Sequence, residues 1–321
     1  MRKAVLLYNP DSGGNQSRRL GEVQSALAIL RHAGVEADLV LTESTAHAGQ
    51  HASRAIAEGC DTVFACGGDG TIHNILQVLA QTDVALAILP MGTGNTLAHD
   101  LRLPLEVAAA AEAALRATSR RIALGHVRYL DLEGNAGTRY FVVTAGVGVD
   151  AHLFYKLNHG IKQRWGMGAY YLKAWHLWWT YPMTRFHADY VDSGSSEARQ
   201  AELTELMSVR IRNFGGVLRE LAPGASLDRD DLRLVLCHTA SRIAYLIYVT
   251  QALLGLRRAV RGIELVHSKN VFCKYLQPNI VGKPGADQHS RIYVEADGEL
   301  LGTLPVEITV VPDALTLLAP A

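Results

Sequence analysis

The chain shows two regimes of hydrophobic patterning. Over roughly the first hundred residues, short apolar runs alternate with segments of helical periodicity. Ala4–Tyr8 is an apolar run that stops at Asn9-Pro10. Leu20, Val23, Leu27 and Leu30 then recur at three- and four-residue spacing, which predicts an amphipathic helix. Ala37–Leu41 predicts a second strand, and Ala46–Ala57 a helix with Gly59 just past its end. Thr62–Cys66 predicts a third strand, halted by Gly67-Gly68. Ile72, Ile75, Leu76 and Leu79 mark another helix, and Val84–Leu89 a fourth strand closed by Pro90. Such β-α alternation implies a parallel sheet with helices on both faces.

Beyond about residue 122 the rhythm changes. Arg139–Val143, Leu206–Arg212, Arg233–His238, Ile263–Val266, Val271–Tyr275, Arg291–Ala296 and Glu307–Val311 are short strand-like runs, many separated by Gly, Pro or Asp turns. They predict a mostly antiparallel β domain. A helical insert is expected at about 161–180, and Asp192–Glu197 reads as a loop. The expected division is an α/β domain over 1–122 and a β domain over 123–314. No internal repeat or low-complexity tract is visible.

Composition narrows the classes. The 321 residues carry 31 basic and 31 acidic side chains, which argues against a broad basic face for nucleic acid. With 49% apolar and 19% charged residues, the chain can bury a sizeable core. Cys60, Cys66, Cys237 and Cys273 form no C-x-x-C pair, so a zinc site is not expected and a reduced, cytoplasmic chain is. Only four apolar residues separate Lys3 from Tyr8, too few for a signal core. The uncharged run Ile243–Leu256 has 14 residues, whereas a spanning helix needs about 20.

Three loops carry candidate chemistry. Gly67-Gly68-Asp69-Gly70-Thr71 follows a predicted strand and opens a predicted helix. Glycines there let backbone approach a phosphate, the helix start offers free N–H groups, and Asp69 is placed to orient a magnesium ion or its waters. Pro90-Met91-Gly92-Thr93-Gly94-Asn95 occupies the same position after the fourth strand, and Asn9-Pro10-Asp11-Ser12-Gly13-Gly14 after the first. In a parallel sheet all three share one strand-end edge, where ligands bind. Gly-rich turns that serve only chain geometry are the plainer alternative. There is no G-x-x-x-x-G-K-[ST] and no G-x-S-x-G, and no G-x-G here has the third glycine of the dinucleotide fingerprint. His47 and His51 are four residues apart but lack a nearby acidic ligand.

With these loops the chain resembles the diacylglycerol kinase catalytic-domain family, most of all its soluble bacterial lipid kinases, relatives of the sphingosine kinases. The resemblance runs over nearly the whole chain. It continues through Gly146-Val147-Gly148-Val149-Asp150, Gly166 to Ala169-Tyr170, Asn213-Phe214-Gly215-Gly216, Pro223-Gly224-Ala225 and Asp297-Gly298-Glu299. It implies an ATP-binding α/β domain of the kind NAD kinases share, a β-sandwich, and an active site in the cleft between them. Residues 315–321 would return to the first domain. The implied reaction moves the γ-phosphoryl of ATP, with Mg2+, onto a lipid hydroxyl. The implied nucleotide site comprises Asn9, Thr42, Gly67, Gly68, Asp69, Gly70, Thr71, Ile72, His73, Gly92, Thr93 and Asn95. Glu299 would be the general base and Asp69 would hold the catalytic magnesium. A structural magnesium would be held by the Asp230 carboxylate and the backbone carbonyls of Leu227 and Leu232.

Three positions depart from the family pattern. Asp230-Asp231 stands where Asp-Gly is usual, His73-Asn74 where Asn-Glu is common, and Thr96 where Asp often follows G-T-G-N. A glycine that adopts positive φ is not freely replaced by Asp.

The lipid side has its own pattern. All four Trp lie within 165–179, and Ala151–Ala188 holds five Lys or Arg and no acidic residue. Aromatic residues with basic neighbours suit the headgroup level of an anionic bilayer, so transient membrane contact is expected; packing on the sandwich core is the alternative. Arg257, Arg258 and Arg261 form a second basic cluster. An NAD kinase-like enzyme shares the G-G-D-G-T turn, and a catalytically silent lipid- or nucleotide-binding regulator would share the fold. A homodimer through a strand edge is also expected.

Overall fold

The computed structural model describes residues 1–10, 16–42, 47–149, 151, 179, 183–195, 197–215, 220–256, 258–276 and 291–320. The expected insert at about 161–180, apart from Trp179, and the loop residues Asp11 to Gly14 lie outside the described residues.

In chain order the elements are β1 (Lys3–Tyr8), α1 (Gln16–His32), β2 (Glu36–Leu41), α2 (His47–Ala57), β3 (Thr62–Gly67), α3 (Asp69–Leu79), β4 (Ala85–Pro90), α4 (Thr96–Asp100) and α5 (Val107–Arg116). They continue with β5 (Thr118–Leu130), β6 (Ala136–Phe141), β7 (Thr144–Gly148), β8 (Phe186–Asp192), β9 (Ala198–Leu203), β10 (Glu205–Val209) and β11 (Leu232–Cys237). The last are α6 (Arg242–Leu253), β12 (Ile263–Tyr275), β13 (Tyr293–Ala296) and β14 (Glu299–Ala319).

The N-terminal part is a parallel sheet in the order β2-β1-β3-β4. Every residue of β3 and β4 is buried, because helices cover both faces. That is why these strands read as continuous apolar runs rather than alternating ones. One face packs on Ala48 and Ala52 of α2 and Ile75, Leu76 and Leu79 of α3. The other packs on Val23, Ala26 and Leu30 of α1 and Ala110 and Ala111 of α5.

The C-terminal part is antiparallel, ordered β13-β7-β10-β11-β12-β8-β9. Its interior is formed by Val147, Leu206, Leu234, Val266, Val294 and Ile308, among others. β14 binds the two parts: it pairs with β13, β12 and β5, and its end runs parallel to β4 through Thr316↔Ala85 and Leu317↔Leu86.

Several elements differ from the sequence expectation. Ile263–Val266 and Val271–Tyr275 are one strand, β12, whose register against β8 shifts between Ser268 and Val271. The run at Glu307–Val311 is the middle of the much longer β14, which absorbs Pro305 and Pro312 at register shifts between Thr303 and Val306 and between Val311 and Leu315. The predicted strands ending at Val143 and Arg212 stop earlier, at Phe141 and Val209, because the following residues bond to other segments instead.

Candidate active site

The two glycine loops at the ends of β3 and β4 touch backbone to backbone. A Cβ on Gly92 would lie 2.5 Å from the Gly68 Cα, and one on Gly67 would lie 2.4 Å from the Thr71 hydroxyl. The glycines are therefore required by close approach within the protein, before any ligand is considered. Gly68 caps α3 in an extended conformation, and its carbonyl accepts from the N–H groups of Thr71 and Ile72. Asn95 adopts φ +48, and its side chain closes a ring on Gly92: Oδ1 accepts from Gly92 N at 2.8 Å, and Nδ2 donates to Gly92 O at 2.9 Å. An asparagine tolerates this left-handed position better than most residues.

Asp69, the first residue of α3, joins the loops. Its carboxylate accepts from Thr96 N at 2.7 Å and lies 3.5 Å from the Thr96 hydroxyl. Burial pushes the Asp69 carboxyl above its ordinary range, Thr96 opposes this through its hydrogen bonds, and the nearby Asp297 charge adds to the rise. Two carboxylates facing one cleft leave a deficit of positive charge there.

Asp297 comes from the opposite wall. Asp297 and Gly298 have φ +47 and +83 and form the tight turn between β13 and β14, with Ala296 opposite Glu299. One Asp297 oxygen accepts from Val143 N at 2.9 Å and Thr144 N at 3.0 Å, and the other from Val142 N at 3.0 Å. The His73 Nδ1 lies 3.4 Å from the same carboxylate, and Arg139 Nε donates to His73 Nε2 at 3.1 Å. Since Arg139 can only donate, the ring proton sits on Nδ1 and points at Asp297.

Between these walls lies a cleft of about 380 Å³. Asp69, Ile72, Thr96 and Leu97 line it from the α/β part, and Val142, Val143, Thr144, Met207, Phe214, Leu221, Asp297 and Gly298 from the sandwich. One end is acidic and the rest is largely apolar. Asp100 of α4 braces the cleft by accepting from the backbone N–H groups of Arg212 and Asn213, each at 2.8 Å.

The structure brings together most of the sequence-predicted residues. Gly67 to Ile72, Gly92 and Asn95 form the paired loops, and Thr93 is exposed on them. Asn9 and Thr42 are buried at the same strand-end edge, with Thr42 N donating to Tyr8 O at 2.8 Å and Asn9 N to Cys66 O at 3.3 Å. His73 is 1% exposed, with its ring turned to Arg139 and Asp297. Glu299 is exposed at the rim and does not line the cleft, although Asp297 and Gly298 do. Sequence reasoning missed Asp297 as a cleft carboxylate, and also Thr96, Asp100 and Arg139. The only signal for Asp297 was its place in D-G-E.

The residues implied for a structural magnesium lie on the loop that leads into β11 and on its first residue, Leu232. Asp230 is exposed, and Leu227 and Leu232 are buried in the cores. The carbonyls on either side of Asp230, those of Arg229 and Asp231, accept from the Arg210 guanidinium. Asp231 does not adopt positive φ, so its side chain is accommodated without strain.

A glycine-loop α/β domain joined to a β-sandwich across such a cleft is the NAD kinase-like fold. The diacylglycerol kinase catalytic domain matches residues 3–127, and the YegS C-terminal NAD kinase beta sandwich-like domain matches residues 142–319. A diacylglycerol kinase of Mycobacterium tuberculosis is 30% identical over 323 residues, covering 99% of this chain and 95% of the relative. One of Bacillus subtilis is 27% identical over 310 residues, covering 96% and 93%. The chain belongs to the diacylglycerol kinase catalytic-domain family. Among solved structures, a diacylglycerol kinase from Bacillus anthracis shares the fold with TM-score 0.67 at 17% identity, covering 99% and 97%. Yeast NADH kinase complexed with NADH shares it with TM-score 0.52 at 11% identity, covering 100% and 84%. Among the described residues no helix is long and apolar enough to cross a membrane.

Proposed function

We propose that the protein transfers the γ-phosphoryl of ATP to a hydroxyl of a diacylglycerol-like lipid in this cleft. The observation that carries the reading is the cleft itself. Asp69 and Asp297 face one end of it, beside the Gly67–Thr71 and Gly92–Asn95 loops, while Leu97, Val142, Val143, Met207, Phe214 and Leu221 supply an apolar remainder. Such a surface suits a substrate with a polar head and an acyl chain better than a soluble dinucleotide. The two glycine loops would hold the phosphates with backbone N–H groups.

Asp69 and Asp297 are the residues that would hold Mg2+; they offer hard oxygen donors, and their clustered negative charge favours a cation there. When bound, the ion neutralises charge on the phosphates as the transfer proceeds. His73, carrying its proton on Nδ1, orients the Asp297 carboxylate, and Arg139 fixes the ring.

Glu299 follows the Asp297-Gly298 turn at the cleft rim, within one residue of the lining. It is the residue to take the proton from the lipid hydroxyl once substrate closes over it. Glu299→Gln should lower turnover about 100-fold or more. Because Glu299 is exposed, its melting temperature should match the parent. A variant that turns over at the parent rate would remove Glu299 from this role.

A further inference from the structure

The helix α6 turns an apolar face to solvent. Its inner side is anchored: the Tyr245 hydroxyl lies 2.8 Å from the Thr204 hydroxyl, and the Tyr248 hydroxyl donates to Leu221 O at 2.6 Å. With those tyrosines held, the opposite side must point away from the sandwich. There Ile243, Leu246, Ile247, Leu253 and Leu254 fall at helical spacing on one stripe with Thr250, and all are exposed. Ile243 is 68% and Leu254 67% exposed. A helix face bathed in water normally carries charged or polar side chains, so a continuous apolar stripe marks a surface that another body covers.

The charge around the stripe is of one sign. Between Asp231 and Glu264 the sequence has five arginines and no acidic side chain. Arg242 opens the helix, with its guanidinium carbon 5.8 Å from the centre of the exposed Trp179 ring. Arg258 and Arg261 are exposed beyond the other end. Glu220 shares a surface hollow with Arg258, and the surround remains net basic. Basic side chains at both ends of an apolar stripe, with an indole beside one of them, match the headgroup and acyl boundary of an anionic bilayer.

The same charges disfavour other occupants. A second copy of this face would set arginine against arginine in a two-fold pairing. The sequence 161–180 carries Lys162, Arg164 and Lys173 and no acidic residue, so it does not complement the arginines either. We propose that α6 is an interfacial helix that docks the protein on an anionic lipid surface, with Ile243, Ile247 and Leu254 entering the acyl boundary and Arg242, Arg258 and Arg261 meeting the headgroup phosphates. Tyr248 ties the helix to Leu221, which lines the cleft, so the docked surface and the cleft wall are directly joined. Docking does not depend on which substrate the cleft takes. The benefit of bringing the cleft to a bilayer does, and rests on the lipid-kinase reading.

The test is co-sedimentation, without ATP, on vesicles of phosphatidylglycerol mixed with phosphatidylcholine and on vesicles of phosphatidylcholine alone. The parent should bind the anionic vesicles, bind the neutral ones far less, and be released as salt rises. Combining Ile243→Gln, Ile247→Gln and Leu254→Gln should weaken binding about 10-fold or more, and Arg258→Gln with Arg261→Gln about 10-fold or more. Because all five side chains are exposed, both variants should melt with the parent. The second variant also serves if the first does not fold. With transfer to a short-chain, monomeric diacylglycerol as control, the variants should lose activity only toward the long-chain lipid in vesicles.

A parent that ignores anionic vesicles, or variants that bind them as the parent does, would overturn the proposal. So would a parent dimer that the glutamine variant turns into a monomer, since the face would then be covered by a second copy. Vesicle binding that α6 substitutions abolish, with no label in any lipid, would leave docking standing and remove the kinase reading alone.

Discussion

Asp297→Ala is expected to abolish measurable phosphoryl transfer and to lower the melting temperature by about 6 °C. The stability loss follows from geometry. The carboxylate accepts from three consecutive backbone N–H groups, those of Val142, Val143 and Thr144. Hydrogen bonds to a charged acceptor contribute about 1.5–3 kcal/mol each, and bonds to one group do not add fully, so a total near 3–5 kcal/mol is expected. For a chain of this length each kcal/mol corresponds to roughly 1.5 °C. The loss of turnover follows from chemistry, since one of the two carboxylates at the polar end of the cleft disappears. Asp297→Asn separates the effects. Asparagine tolerates φ +47 and keeps one accepting oxygen, so most of the stability should remain while turnover is still lost. Calorimetry and a transfer assay on both variants check this; an alanine variant that keeps parent turnover would take Asp297 out of the active site.

Gly92→Ala is expected to weaken ATP binding about 100-fold, because misplacing a site by an ångström has effects of that size. The new Cβ would lie 2.5 Å from the Gly68 Cα and 3.0 Å from Asn95 Oδ1. The first neighbour is backbone, so the two loops must separate, and Thr96, whose N–H anchors Asp69, moves with them. Gly21→Ala is the matched control. Nothing lies within 4 Å of its added carbon, and in the interior of α1 the change should stabilise by about 0.5–1 kcal/mol. Calorimetric ATP titration of the two variants distinguishes loop separation from a general intolerance of added methyl groups. Equal affinities would show that the paired loops do not form the nucleotide site.

The α/β half was legible because its physics is local. Strands buried on both faces give unbroken apolar runs, and the turns after β3 and β4 demand glycine by close contact. β5 was not legible, because Arg120, Arg121 and Arg128 interrupt its pattern while their side chains reach outward, Arg120 to Asp228 and Arg128 to Glu307. β14 was truncated in the reading because its prolines look like strand ends, although the ladder absorbs them at register shifts. The roles of Asp297 and Arg210 depend on partners far away in sequence. Asp297 receives the N–H of Thr144, 153 positions earlier, and Arg210 reaches Ala123, 87 positions earlier. No local spacing rule carries such information.

The most direct test of the central claim is transfer of label from γ-labelled ATP, with magnesium, to a panel of diacylglycerol, phosphatidylglycerol, ceramide and sphingoid base in detergent micelles, and separately to NAD. Products are read by thin-layer chromatography and mass spectrometry, with Glu299→Gln in parallel. The account expects label in a hydroxyl-bearing lipid, diacylglycerol foremost, absent from NAD and strongly reduced in the variant. Label confined to NAD, or ATP binding with no transfer to any acceptor, would contradict it.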